Sequence, residues 1–114
     1  MSTAIKKALT SGQLQAVSRL FAVLSEPSRL VLLQSLYDGP LTVTELVEAT
    51  GMKQANVSKH LIVLHNHHLV KRERDGISIR YEIADPMIFS LCNLVCGKIQ
   101  KDAQQVAALV QPED

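Results

Sequence analysis

Between residues 43 and 83 the spacing of apolar side chains changes once, from the 3.6-residue period of helices to the alternation of strands, and this change constrains the fold most. Thr42 followed by Glu45 fits a capping box, in which each side chain satisfies a backbone amide that a first helical turn leaves unpaired. A short helix over Val43–Ala49 is predicted. Gly51 suits the left-handed conformation that ends it, and Val57, Leu61 and Leu64 then share one face of a second helix. Two short helices joined by about four residues make a helix-turn-helix. After Leu69, Val70–Arg74 and Ile77–Ile83 flank Asp75-Gly76, a dipeptide that tolerates the positive φ of a tight hairpin turn. A two-stranded ribbon is expected beside the helix pair.

The flanks are helical. Over residues 13–24, Leu14, Val17, Leu20, Phe21 and Leu24 recur at spacings of three and four. Ser25-Glu26-Pro27 interrupts them, and the proline opens a second helix whose Leu30, Leu33, Leu36 and Tyr37 are expected to face inward before Asp38-Gly39-Pro40 stops it. Asp85-Pro86 pairs a good N-cap with a good first residue. Beyond it Ile88, Leu91, Cys92, Val95, Cys96, Ile99, Ala103, Val106 and Val110 form an apolar stripe along a long last helix. The order α-α-α-α-β-β-α is a winged helix, mainly α with a two-stranded β wing. With 114 residues in all, it reads as one domain over 1–110 and a flexible tail at 111–114.

Charge locates the working surface. Residues 51–80 hold Lys53, Lys59, Lys71, Arg72, Arg74 and Arg80 against Glu73 and Asp75, a balance of +4, whereas the other 84 residues carry six basic and nine acidic side chains, a balance of −3. A positive third on an acidic remainder suits a polyanion, although charge alone also fits a solvated face. No apolar run approaches the roughly 20 residues needed to cross a bilayer, and the N-terminus lacks a secretory pattern, so a cytoplasmic protein without membrane partners is expected.

In a helix-turn-helix the second helix enters the major groove and only its solvent face touches DNA. With Val57, Leu61 and Leu64 turned inward, Lys53, Gln54, Asn56, Ser58 and Lys59 remain for the duplex. Gln54 and Asn56 match the donor and acceptor pair of adenine, Ser58 serves base or phosphate, and the lysines supply charge. Arg72, Arg74 and Arg80 of the wing are placed for the backbone or minor groove, although alternation sets Arg72 and Arg74 on the side of Val70, where an arginine also serves as a surface filler.

The sequence resembles the ArsR/SmtB winged-helix repressors in Leu24-Ser25-Glu26-Pro27-Ser28-Arg29-Leu30, in Leu41-Thr42-Val43-Thr44-Glu45-Leu46, in Gln54 through Leu64, and in Leu69-Val70-Lys71-Arg72 with Tyr81. The resemblance covers about residues 14–100. It implies a homodimer, joined through its first and last helices, that binds a near-palindromic double-stranded DNA operator and leaves it when a metal ion, metalloid or thiol-reactive signal arrives. Several departures bear on the signal. Thr42-Val43-Thr44 stands where many members carry Cys-Val-Cys, the last helix has no histidine for a zinc site, and Gln34 occupies the place of the second-helix cysteine of persulfide sensors. Lys53 replaces the usual small polar N-cap, and His68 replaces a glycine.

Cys92 and Cys96 remain, four apart on one helical face, with Cβ atoms roughly 5–6 Å apart. An unstrained disulfide wants about 3.5–4.5 Å, so an intrahelical bridge is disfavoured, whereas a soft ion spans the pair. Three readings stand: a site for As(III), Sb(III) or another soft metal, a redox or reactive-sulfur sensor, and two thiols packed as small hydrophobes. His60, at the edge of the buried face, is expected to be hydrogen-bonded and structural. His65, His67 and His68 crowd the negative end of the recognition helix without a carboxylate or thiol to complete a metal site. A protein-binding winged helix would want an apolar face over 53–60, which the sequence denies. An enzyme would want a nucleophile motif, a phosphate-cradling loop or metalloprotease spacing, and none accompanies the histidines.

Overall fold

The computed structural model describes residues 8–110, and the expected tail at 111–114 lies outside them. The described chain groups into two compact units, one running to Ala84 and one starting at Asp85. The first is a winged helix-turn-helix. Helix α1 (Ser11–Leu24) begins with a capping box, Thr10 Oγ1 accepting from the Gln13 amide at 3.1 Å and Gln13 Oε1 from the Thr10 amide at 2.8 Å. Pro27 opens α2 (Pro27–Ser35), and Glu26 caps it by accepting from the Ser28 amide at 3.4 Å.

The inward face of α2 differs from the expected one. Leu32, Leu33 and Leu36 are buried, while Leu30 and Tyr37 are 38% and 65% exposed. Five of the seven residues from Leu30 to Leu36 are Leu or Val, so two overlapping stripes fit the helical period equally well and packing against α3 and α4 selects one. The sheet also gains a strand. The expected two-stranded wing forms, β2 (Val70–Asp75) pairing antiparallel with β3 (Ser78–Ile83), and a two-residue strand, β1 (Leu41–Thr42), adds to β3 antiparallel, giving the order β1-β3-β2.

Helix α3 (Val43–Thr50) starts on the expected box, Thr42 Oγ1 accepting from the Glu45 amide at 3.2 Å and Glu45 Oε1 from the Thr42 amide at 2.9 Å. Gly51 ends it at φ +74°. Helix α4 (Gln54–Asn66) follows and contributes Val57, Leu61 and Leu64 to the core, each fully buried beside Leu32, Leu36, Leu46 and Val70. Each such side chain contributes about 1.5–3 kcal/mol by leaving water. The end of α4 is a Schellman motif, the Leu69 amide donating to the Leu64 carbonyl and the His68 amide to the His65 carbonyl, both at 3.0 Å. The left-handed residue that this closure needs is His68, at φ +61°.

In the second unit, Asp85 Oδ1 accepts from the Met87 amide at 3.0 Å and starts α5 (Met87–Val110). Ile88 is buried, whereas every residue from Asn93 to Val110 is exposed, the apolar stripe included. No helix among the described residues is long and apolar enough to cross a membrane.

Candidate nucleic-acid interface

Helix α4 divides cleanly by burial. Val57, Leu61 and Leu64 face the core, His60 is buried with them, Ser58 is half-buried, and Gln54, Asn56 and Lys59 are exposed together with Lys53 at the N-cap. The sequence-derived set on this helix is therefore brought to the surface, Ser58 only in part. Lys53 holds φ −68° and ψ 146°, close to the capping residues Thr10 and Thr42, but makes no side-chain cap bond. The first-turn amides of α4 lack the side-chain acceptor that begins α1 and α3, and an ammonium sits where the helix dipole is positive. A local rule broken in this way is expected where the residue serves another partner.

The hairpin register sorts the wing cations. Arg72 lies opposite Tyr81 and Arg74 opposite Ile79, on the face that carries buried Val70, while Lys71 lies opposite Glu82 and Glu73 opposite Arg80 on the other. Lys71 pairs with Glu82 at 3.3 Å, and Arg80 Nε donates to Asp75 Oδ2 at 2.7 Å, a bond that raises the Arg80 pKa and holds it cationic. Arg72 and Arg74 are exposed and enter no ion pair among the described residues. The same holds for Lys53 and Lys59. Four of the six predicted cations of residues 51–80 are thus uncompensated, and Arg80 is partly spoken for. Ile77, one residue past the Gly76 turn, is 99% exposed and makes the tip of the wing apolar, a feature that alternation alone does not single out.

His60 is structural, as expected, but its partner was not legible. Arg29 Nε donates to His60 Nδ1 at 3.2 Å across 31 residues of sequence. Burial, then the Arg29 charge, then that of Lys59 lower the His60 pKa from 6.5, against an opposing effect of Glu26. His65 is half-buried and His67 and His68 are exposed. Cys92 is half-buried and Cys96 exposed, both as free thiols. No cluster of three or more metal-ligating side chains occurs among the described residues.

Residues 26–72 match the family described as bacterial regulatory protein, arsR family. The HTH-type transcriptional regulator NmtR of Mycobacterium tuberculosis is 45% identical over 75 residues, which are 66% of this chain and 62% of NmtR. The crystal structure of the AntR antimony-specific transcriptional repressor superposes with a TM-score of 0.74 at 35% identity, covering 87% of this chain and 90% of that one. The solution structure of the homodimeric winged helix-turn-helix DNA-binding domain of a possible ArsR-family regulator from Mycobacterium bovis superposes at 0.71 and 28% identity, covering 87% and 92%. NmtR is thus a transcriptional regulator and AntR a transcriptional repressor. The chain belongs to the arsR family.

Proposed function

We propose that this arsR-family chain is a homodimeric, sequence-specific DNA-binding repressor that releases its operator when a trivalent metalloid or soft metal engages Cys92 and Cys96. The observation that carries the DNA-binding part is the division of α4, whose exposed Lys53, Gln54, Asn56 and Lys59 stand opposite fully buried Val57, Leu61 and Leu64. Gln54 and Asn56 read base edges, while Lys53, Lys59, Arg72 and Arg74 neutralise phosphates. Ser58 and Arg80 take part at the margin of this surface, the latter shared with Asp75. Two such helices related by a two-fold axis meet half-sites about one helical turn apart.

The apolar faces of α1 and α5 supply the dimer contact. Leu14, Val17, Phe21, Val95, Ile99 and Val106 are all exposed within one chain, which is what a protein with an uncovered oligomer surface shows. The homodimeric relative supports this assembly. Cys92 and Cys96 share one face of α5, and thiolates select soft ions. A protomer has no third ligand grouped with them among its described residues, so the site draws further donors across the dyad. Likeness to an antimony-specific repressor favours Sb(III) and As(III) over harder ions. The test measures DNA binding by wild type and by Cys92→Ser/Cys96→Ser with and without Sb(III), As(III), Zn(II), oxidant and persulfide. Release of the wild type alone by the metalloids supports the reading, release by oxidant or persulfide alone moves it to a thiol sensor, and a double mutant that responds like wild type to every agent removes the cysteines from sensing.

A further inference from the structure

We propose that Arg29 is a positioning residue whose guanidinium ties the end of α1 to the middle of the recognition helix through a neutral His60, and that acidification undoes this tie and weakens DNA binding. The inference rests on the DNA-binding reading above and names a control on the same surface. Arg29 Nη1 donates to the Val23 carbonyl at 3.1 Å while its Nε donates to His60 Nδ1 at 3.2 Å. Val23 lies in the last turn of α1, where carbonyls have no helical donor left, and His60 lies mid-way along α4, next to Lys59 on the exposed side. One side chain on α2 therefore fixes two other helices at once.

Nothing within α2 itself explains the cation at this place. Arg29 occupies the first turn, the end at which the helix dipole disfavours positive charge. Its placement answers instead to the two acceptors it reaches. His60 is buried, and Arg29 Nε is the donor that its Nδ1 finds within the protein.

An imidazole nitrogen accepts only while it carries no proton. Protonation of Nδ1 turns the acceptor into a donor facing a donor and sets a second cation beside Arg29 and Lys59. Glu26, from the start of α2, favours the proton, against Arg29 and Lys59, which oppose it; α3, with Glu45 and Glu48, and β2, with Lys71, Arg72, Glu73, Arg74 and Asp75, also pack on α4. Loss of the acceptor at Nδ1 therefore predicts weaker DNA binding as the pH falls.

The test uses the full chain and a duplex selected on it from a random-sequence pool at about pH 8. Affinity is measured at constant ionic strength between about pH 8 and about pH 5. Wild type is expected to weaken by about fivefold to tenfold, the range of one hydrogen bond. His60→Asn, whose Oδ1 replaces Nδ1 as an acceptor and does not titrate, is expected to bind like wild type at pH 8 and to hold its affinity in acid. His60→Leu and Arg29→Lys, which lose the acceptor and the two-pronged donor, are expected to be weaker at pH 8 by a similar factor. A wild-type profile that coincides with that of His60→Asn overturns the proposal, as does undiminished binding by folded His60→Leu. Should either of the disruptive variants fail to fold, the comparison of wild type with His60→Asn decides alone. If no duplex is enriched on wild type at all, it is the DNA-binding reading that falls, and this inference with it.

Discussion

Lys53→Ser separates what α4 needs to fold from what it needs to bind. Residue 53 already has the extended backbone of a capping position, as Thr10 and Thr42 do, both of which accept the amide three residues on. A serine there needs no backbone movement to accept from the Asn56 amide. The gain from such a cap is about 1 kcal/mol, and removing an ammonium from the positive end of the helix acts in the same direction. For a chain of 114 residues 1 kcal/mol raises the melting temperature by roughly 4 °C. Binding is expected to move the other way. Loss of one phosphate contact lowers affinity and makes the slope of log K against log salt shallower by about 0.9. Urea or thermal denaturation at fixed protein concentration gives the first quantity, and titration of a selected duplex over a range of salt gives the second. A variant that is no more stable would refute the capping argument; an unchanged salt slope would refute the phosphate contact.

His68→Gly is expected to stabilise the chain by about 1 kcal/mol, since the position holds φ +61° and glycine bears no Cβ penalty there; the urea midpoint should rise at constant m-value. Asp75→Ala releases Arg80 from its 2.7 Å bond, and a steeper salt dependence of DNA binding is the expected outcome, whereas an unchanged slope places Arg80 off the phosphates. Stability should also depend on pH through His60. Its folded pKa lies below the 6.5 of the unfolded chain, so its contribution is complete above pH 6.5 and is lost as pH falls through the folded value. The loss is at most about 1.4 kcal/mol per pH unit, and His60→Asn should remove that part of the profile.

The parts of the fold that local chemistry dictates were legible in the sequence. The Thr42/Glu45 box, the Gly51 stop, the Asp75-Gly76 turn and the split of α4 into a buried and a polar face each depend on residues within one or two turns of each other. What escaped depends on longer reach or on too few residues. A strand of two residues carries no period, so β1 shows itself only through its pairing with β3. The leucine-rich α2 admits two inward faces, and only its neighbours decide for Leu32 over Leu30 and Tyr37. The Arg29 to His60 bond joins positions 31 apart, and no spacing rule connects them. Within the candidate site, sequence reading supplied every cation but not the pairing that withdraws Lys71 and engages Arg80.

Thr42 belongs to two structures at once, as the cap of α3 and as the β1 residue opposite Arg80. The hairpin is consequently anchored at its inner strand to the start of the helix pair and has no free pivot of its own. Under the proposed function, this junction sets the spacing at which recognition helix and wing meet a duplex. A sequence whose grooves do not suit that spacing has to bend or narrow to be held, so the stiffness of DNA at positions no side chain touches enters the choice of site.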